Sequence, residues 1–134
     1  MAKKVRVLLG KLGLDCHPIG VTVLAQALRD AGMEVIYSGL KQTPQMIVRT
    51  AIQEDVDVVG LSSLSGGHMR YFPEVVRLLQ EAGAGDKLVV GGGVIPEEDI
   101  GELKQAGVDA LFTMGADTRE IAAYIKQRVL GEAA

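Results

Sequence analysis

A short segment of the chain combines residue types that can bind a metal ion. Between Gly10 and Gly20 lie Lys11, Asp15 and His17, and the histidine follows the aspartate by two positions. A histidine ring can bind a metal through one nitrogen while its other N–H donates to a carboxylate, which fixes the tautomer and strengthens the ligand. One histidine cannot hold a free transition metal ion alone, so the pattern indicates a metal that arrives already chelated.

The position of this segment in the chain points to a ligand-binding edge. It follows the apolar run Val5 to Leu9 and precedes a helical pattern that begins near Val21. Open parallel sheets bind their ligands outside the carboxyl ends of the strands. We therefore expect residues 10–20 to form a long loop at that edge.

Five apolar runs alternate with five amphipathic stretches along the whole chain. Continuous β-branched runs are typical of strands that are buried on both faces. The predicted strands are Val5 to Leu9, Glu34 to Tyr37, Val56 to Leu61, Lys87 to Val90 and Asp109 to Phe112. The predicted helices are Val21 to Ala31, Pro44 to Glu54, Tyr71 to Ala82, Pro96 to Ala106 and Thr118 to Leu130.

The signals at the ends of these helices agree with the pattern. Thr43 and Pro44 are predicted to be an N-cap and a first-turn proline. The glycines predicted to stop helices are Gly32, Gly83, Gly107 and Gly131. Five βα units with short connections predict a doubly wound α/β fold. We expect one domain spanning residues 1–134, flavodoxin-like (Rossmann-like), with a five-stranded parallel sheet in the order 2-1-3-4-5 and a cleft between strands one and three.

Composition narrows the class of protein further. The chain has 134 residues, of which 48% are hydrophobic and 4% aromatic, so the predicted core is aliphatic. A net charge of -3 provides no basic surface for nucleic acid. No apolar segment is long enough for a signal peptide or a membrane helix, and the single cysteine, Cys16, rules out a disulfide framework. We expect a cytoplasmic protein with neither a membrane nor a nucleic acid as partner.

Two further loops are predicted at the same edge of the sheet, after strands three and four. They are residues 62–68, with three serines and two glycines, and residues 91–96, which begin with three glycines. Small residues allow close backbone approach by a large ligand, and hydroxyls supply hydrogen-bond donors.

Each of these features has an ordinary explanation when it is taken alone. Glycines form tight turns, serines cap strand and helix ends, His68 can be a first-turn helix residue, and Cys16 can be a spacer. Lys11, Asp15 and His17 can likewise be ordinary loop residues. The functional interpretation depends on their coincidence at one edge of one sheet.

Three motifs at this edge resemble the signature of cobalamin-binding domains that hold the corrinoid base-off. They are Asp15-x-His17-x-x-Gly20, Ser62-x-Leu64 and Gly92-Gly93. Further matches to the acyl-CoA mutases are Lys11, Gln42-Thr43-Pro44, His68 and Val94-Ile95-Pro96. The chain is similar to the C-terminal domain of methylmalonyl-CoA mutase, or to the separate small subunit of its relatives.

The resemblance implies a cofactor and a role for each residue. His17 would be the lower axial cobalt ligand, Asp15 would orient it, and Lys11 would pair with Asp15. The residues implied to flank the nucleotide tail are Gly20, Ser62, Leu64, Gly92 and Gly93. The cofactor implied is adenosylcobalamin, which supplies radical chemistry for isomerisation of a carbon skeleton.

The resemblance also implies a partner. The substrate barrel of such mutases needs about 250 residues, so a large acyl-CoA-binding subunit must supply it, and this chain has no activity alone. We expect the partner to contact the rim loops around residues 66–71 and 114–118. The acyl-CoA is left open among the methylmalonyl, isobutyryl and 2-hydroxyisobutyryl types.

Some residues depart from the acyl-CoA pattern and keep alternatives open. Asp15-Cys16-His17 is similar to the small subunit of glutamate mutase, and Pro18 and Ile19 also differ. A corrinoid methyl-carrier protein is another alternative, although those usually carry an N-terminal helical cap. A receiver-type signalling domain would need a phosphorylatable aspartate where this chain has Gly60-Leu61-Ser62.

Overall fold

The computed structural model describes residues 4–11, 19–38, 42–63, 68–93, 95–113 and 117–131. The strands are β1 Arg6–Lys11, β2 Glu34–Tyr37, β3 Val58–Ser63, β4 Leu88–Gly93 and β5 Ala110–Thr113. The helices are α1 Ile19–Asp30, α2 Pro44–Gln53, α3 His68–Glu81, α4 Glu97–Gln105 and α5 Thr118–Leu130. Strands and helices alternate without exception among these elements, as the sequence predicts.

The five strands form one parallel sheet in the order β2-β1-β3-β4-β5. This confirms the predicted flavodoxin-like order, in which the chain reverses direction across the sheet between β1 and β3. In the described part of the chain, no helix combines the length and apolar character that a membrane crossing requires.

The sheet is covered on both faces, which explains the continuous apolar runs. The α2/α3 face, which also holds α4, packs Leu8, Val59 and Val89 against Ile47, Phe72 and Leu103. The α1/α5 face packs Val7, Leu9 and Val58 against Leu28, Ile121 and Ile125. Side chains alternate between these two faces along every strand.

The residues predicted to cap or stop the helices are confirmed in that role. The Thr43 side chain accepts a hydrogen bond from the Met46 N–H at 3.2 Å, and Pro44 occupies the first turn of α2. A positive φ, which glycine adopts without strain, occurs at the predicted stops Gly32, Gly83, Gly107 and Gly131.

The prediction of a loop over residues 10–20 is partly wrong. Gly10 and Lys11 are the last residues of β1, and Ile19 and Gly20 begin α1. Only residues 12–18 lie between these elements, and they are outside the described residues.

The predicted ends of β3 and β4 are also too early. Ser62 and Ser63 belong to β3, and Gly91 to Gly93 belong to β4. The reason is that a parallel ladder is made by backbone N–H and C=O groups, so serine and glycine continue it after the apolar residues stop. The other boundaries differ from the prediction by no more than three residues.

Polar side chains tie the strands together at the amino end of the sheet. The Asp57 carboxylate accepts the Arg6 N–H at 3.0 Å, and the Asp109 carboxylate accepts the Val89 N–H at 2.9 Å. The Lys87 Nζ donates to the Val56 carbonyl at 2.8 Å. These bonds satisfy backbone groups at the end opposite to the predicted ligand edge.

Candidate functional site

The parallel register aligns residues from four strands at the carboxyl end of the sheet. Lys11 pairs with Ser62, Ser62 with Gly92, and Gly92 with Phe112. We call this line of four residues the rim row. It brings together three predicted site residues that are far apart in sequence, and Gly93 follows directly after it opposite Ser63.

The rim row belongs to the α1/α5 side of the sheet. Val90, two residues before Gly92, and Val58, four residues before Ser62, both pack in the core of that face. Phe112 packs against the same core and meets the Tyr124 ring edge-on, with centroids 5.6 Å apart.

Two adjacent glycines of β4 have different surroundings. A Cβ at Gly91 would lie 2.5 Å from Phe72 Cε2 and 2.9 Å from Leu111 Cδ2, so Gly91 makes room for packing within the fold. A Cβ at Gly92 would meet only the Phe112 carbonyl oxygen, at 3.0 Å, among the described atoms. Gly92 therefore exposes its backbone to a space that no described side chain fills, as a site for a large ligand requires.

The end of β1 is closely surrounded where it leads into residues 12–18. A Cβ at Gly10 would lie 2.8 Å from Ile47 Cδ1 and 3.1 Å from Ser38 Oγ. The Leu9 carbonyl accepts both the Ser38 N–H, at 3.0 Å, and the Ser38 hydroxyl, at 3.3 Å. The proximity of Gly10 and Ser38 could not be predicted from the sequence, because it depends on the register between β1 and β2.

Charged residues stand at the helix starts on the same rim. Asp117 caps α5 by accepting the Arg119 N–H at 2.8 Å, and its carboxylate also binds the Arg119 guanidinium at 3.0 Å. Hydrogen bonds from the Arg119 side chain and backbone hold the pKa of Asp117 below its ordinary value. Arg70, near the start of α3, lies over the Tyr71 ring at 5.5 Å.

The structure places five of the eight predicted site residues. Lys11, Ser62 and Gly92 form the rim row with Phe112, Gly93 ends β4, and Gly20 lies in the first turn of α1. Asp15, His17 and Leu64 lie outside the described residues. Within the described ranges, no group of three or more His, Cys, Asp or Glu residues could hold a metal ion.

The predicted partner-contacting loops are only partly described. His68 to Tyr71 begin α3, and Asp117 and Thr118 begin α5. Residues 66, 67 and 114–116 are outside the described part of the chain.

A polar cleft of about 510 Å³ lies at the opposite, amino end of the sheet. Its walls include Asp57, Lys87, Asp109 and Arg128. The two aspartates and the lysine bind backbone groups, and Arg128 lies 3.5 Å from the Asp109 carboxylate. These side chains stabilise the strand ends and are already engaged by protein groups. We therefore keep the rim row as the candidate site.

Sequence comparisons identify the family to which the chain is similar. The family model described as B12 binding domain matches residues 5–123. The 2-hydroxyisobutanoyl-CoA mutase small subunit of Aquincola tertiaricarbonis is 50% identical over 97% of this chain and 96% of its own length. The pivalyl-CoA mutase small subunit of Xanthobacter autotrophicus is 45% identical over 89% of this chain and 80% of its own length.

A longer relative matches over a small part of its length. The methylmalonyl-CoA mutase of Cereibacter sphaeroides is 43% identical over 92% of this chain, which corresponds to 17% of that protein. This agrees with the resemblance to one domain of a larger mutase.

Solved structures give the same result for the fold. A cobalamin-binding protein from Desulfitobacterium hafniense superposes with a TM-score of 0.78 and 25% identity, over 91% of this chain and 59% of that one. The family model covers all five strands of the sheet and the whole rim row. The chain belongs to the B12-binding domain family.

Proposed function

We propose that this chain is the cobalamin-binding subunit of an adenosylcobalamin-dependent acyl-CoA mutase, of the methylmalonyl, isobutyryl or 2-hydroxyisobutyryl type. The observation that carries the proposal is the match to the 2-hydroxyisobutanoyl-CoA mutase small subunit, 50% identical over nearly the full length of both chains. A match over 97% of this chain and 96% of that relative supports the same arrangement, in which one chain holds the cofactor and another holds the substrate. The whole of residues 1–134 then acts as one cobalamin-binding domain in the cytoplasm.

The residues at the rim fit a large, flat cofactor with a long tail. Among the described atoms, a Cβ at Gly92 would meet only the Phe112 carbonyl oxygen, and the neighbouring Ser62 is only partly buried. Gly93 and Gly20, which also lack side chains, stand at the end of β4 and the start of α1. In this proposal, these residues and Leu64 flank the nucleotide tail.

The axial ligand in this proposal is His17. Its ring would bind the cobalt through one nitrogen, Asp15 would accept a hydrogen bond from the other, and Lys11 would pair with Asp15. The carboxylate keeps the imidazole in one tautomer and raises its basicity, which strengthens the metal bond. When bound, adenosylcobalamin supplies the radical chemistry, and this chain supplies placement and electrostatics.

A large acyl-CoA-binding subunit completes the enzyme. The described chain has one sheet and its helices, and the candidate site lies at the rim of that sheet. Radical chemistry needs a site that excludes water, so a partner must cover the rim. The partner then contacts the starts of α3 and α5, where His68 to Tyr71 and Asp117 to Thr118 lie.

The test of this proposal is the axial nitrogen of the reconstituted protein. We expect the wild type to bind hydroxocobalamin or adenosylcobalamin base-off, and the electron paramagnetic resonance (EPR) spectrum of its cob(II)alamin form to show splitting by one protein nitrogen. His17→Ala should abolish this splitting and weaken binding. His68→Ala is the matched control, because His68 is the other histidine of the chain and begins α3. An unchanged splitting in His17→Ala would refute the assignment of the ligand.

A further inference from the structure

One tyrosine of α5 contacts the edge strand β5 near both of its ends. The Tyr124 hydroxyl donates to the carbonyl of Asp109, the residue before β5, at 3.4 Å. The Tyr124 ring meets the ring of Phe112, the third residue of β5, edge-on, with centroids 5.6 Å apart. β5 has four residues and lies at the edge of the sheet, where its ladder partner is β4. Tyr124 therefore fixes β5 against α5.

Arg128 holds the Tyr124 side chain in this orientation. Arg128 Nη1 donates to the Tyr124 hydroxyl at 2.7 Å, and Arg128 Nη2 lies 3.5 Å from one Asp109 carboxylate oxygen. The other carboxylate oxygen accepts the N–H of Val89 in β4 at 2.9 Å. A hydroxyl that accepts one hydrogen bond and donates another within such a network has little freedom to move, so the ring is held beside Phe112.

Phe112 is the neighbour of Gly92 in the rim row and lies on the same side of the sheet. Its carbonyl oxygen is 3.0 Å from the position of a Cβ on Gly92, and it is the one described atom that such a Cβ would meet within 4 Å. The Phe112 ring is partly buried and packs against the core of the α1/α5 face. The position of β5 therefore bears directly on the surroundings of Gly92.

We propose that Tyr124 is a positioning residue for the nucleotide tail of the cofactor, acting through Phe112. The inference rests on the proposed function, in which Gly92 flanks that tail. The tail carries a flat aromatic base, and an aromatic ring beside such a base stabilises it only at a suitable distance and angle. The ring of Tyr124 and its hydroxyl together set the distance and angle at which Phe112 stands beside Gly92.

Loss of the Tyr124 ring leaves Phe112 without its edge-on partner and removes the contacts of Tyr124 with β5. Phe112 and the end of β5 can then shift relative to Gly92, so the tail binds less tightly. An edge-on aromatic pair corresponds to about a 2- to 10-fold change in an equilibrium constant. We expect Tyr124→Leu to weaken cobalamin binding by about this factor. Cobinamide, the corrinoid that lacks the nucleotide tail, should bind to this variant as tightly as to the wild type.

The test compares three variants of the full chain, each titrated with hydroxocobalamin and with cobinamide. Tyr124→Leu removes the ring, and Tyr124→Phe retains it. Val129→Ala is the matched control, because Val129 lies on the same helix and packs against the same core but lines the cleft at the amino end of the sheet. The measurements are the dissociation constants of both corrinoids and the thermal unfolding of the protein without cofactor.

A positioning role predicts that the ratio of cobalamin affinity to cobinamide affinity falls in Tyr124→Leu alone. Tyr124→Phe and Val129→Ala should keep the wild-type ratio, whatever their thermal stability. An unchanged ratio in Tyr124→Leu would overturn the inference, whether both affinities stay at the wild-type value or both fall equally. That result would leave the proposed function standing, whereas a wild type that binds no cobalamin would refute the proposed function and the inference with it.

Discussion

Gly91 and Gly92 are adjacent in β4 but face opposite sides of the sheet, so one substitution has different consequences at each. Gly91 lies against Phe72 and Leu111 in the α2/α3 face, and both contacts leave no room for a methyl group. Gly92 faces the α1/α5 side, where the Phe112 carbonyl oxygen is the described atom that a methyl group would meet.

We predict that Gly91→Ala damages the fold and that Gly92→Ala damages the site. Overpacking a well-filled core costs about 1 to 3 kcal/mol, and Gly91→Ala should lower the free energy of unfolding by that amount. Gly92→Ala should lower it less, yet weaken cobalamin binding by about 10-fold or more, because the added methyl group occupies ligand space. Denaturant unfolding of the cofactor-free protein and cobalamin titration separate the two effects. Equal losses of stability in the two variants, with wild-type cobalamin affinity in Gly92→Ala, would contradict this interpretation.

Asp15 and His17 should differ in how strongly their loss affects binding. In the proposed site, Asp15 orients the ligand, whereas His17 is the ligand. Loss of an orienting partner costs about 10- to 100-fold in metal affinity or activity. We therefore expect Asp15→Asn to weaken cobalamin binding within this range, and less than His17→Ala does. Wild-type affinity in Asp15→Asn, measured by the same titration, would mean that Asp15 only forms the turn.

At the scale of elements, helix ends were easier to predict than strand ends. A glycine with a positive φ terminates a helix, and a threonine that caps the first turn begins one. Gly32 and Thr43 are examples, and in each case the residue type itself indicates the boundary. A strand end depends on whether the neighbouring strand continues. Ser62 and Gly92 extend their strands because each has a ladder partner, which no local pattern reveals.

The candidate site could be predicted in part for the same reason. The carboxyl edge of the sheet and the residues Lys11, Ser62 and Gly92 followed from the order of elements and the motifs. Their alignment in one row with Phe112 required the register. The contact of Ser38 with Leu9 also required it. The roles of all eight predicted site residues stay predictions, and for Asp15, His17 and Leu64 the position stays a prediction as well.

The N-terminus of α5 carries a pH dependence that can be measured. Arg119 holds the pKa of Asp117 below its ordinary value, by hydrogen bonds from its side chain and its backbone N–H. A carboxylate with a lowered pKa stabilises the folded state above its unfolded pKa, which is about 4, and this contribution is lost as the pH falls through the folded pKa. We predict that wild type exceeds Asp117→Asn in thermal stability at pH 7.

The difference between the two proteins should shrink steadily below about pH 4. Asparagine is a good N-cap, so this variant retains the cap and removes the charge. Melting curves between pH 2 and pH 7 provide the measurement. A difference that is the same at every pH would show that the charge of Asp117 contributes nothing to stability.

At the scale of the whole molecule, the two ends of the sheet differ in the residues that they carry. At the amino end, Lys87 and Asp109 form hydrogen bonds with backbone groups of Val56 and Val89. The guanidinium of Arg6 lies 3.4 Å from the carboxylates of both Glu34 and Glu54. At the carboxyl end, two of the four residues of the rim row, Ser62 and Gly92, are small. Residues that stabilise the sheet at its amino end are thus separate from the residues that we propose bind the cofactor.

We predict that the isolated chain, loaded with adenosylcobalamin, shows no mutase activity, because its described residues form one five-stranded sheet with its helices and include no substrate barrel. Activity should appear when a large acyl-CoA-binding subunit is added. The assay follows isomerisation of methylmalonyl-, isobutyryl- and 2-hydroxyisobutyryl-CoA with and without the partner. Turnover by the isolated chain would refute the two-subunit proposal. Activity only with a glutamate-type partner would assign the chain to the amino-acid mutases that Asp15-Cys16-His17 resembles.

The contrast between the two glycines of β4 has an evolutionary consequence. One added methyl group at Gly92 is expected to weaken cofactor binding more than it destabilises the fold, whereas the same change at Gly91 acts against the fold itself. A descendant of this domain could therefore bind its cofactor much less tightly after a single mutation and remain a folded protein, free to acquire another role. In such a lineage, we expect the position of Gly92 to gain a side chain while that of Gly91 stays glycine.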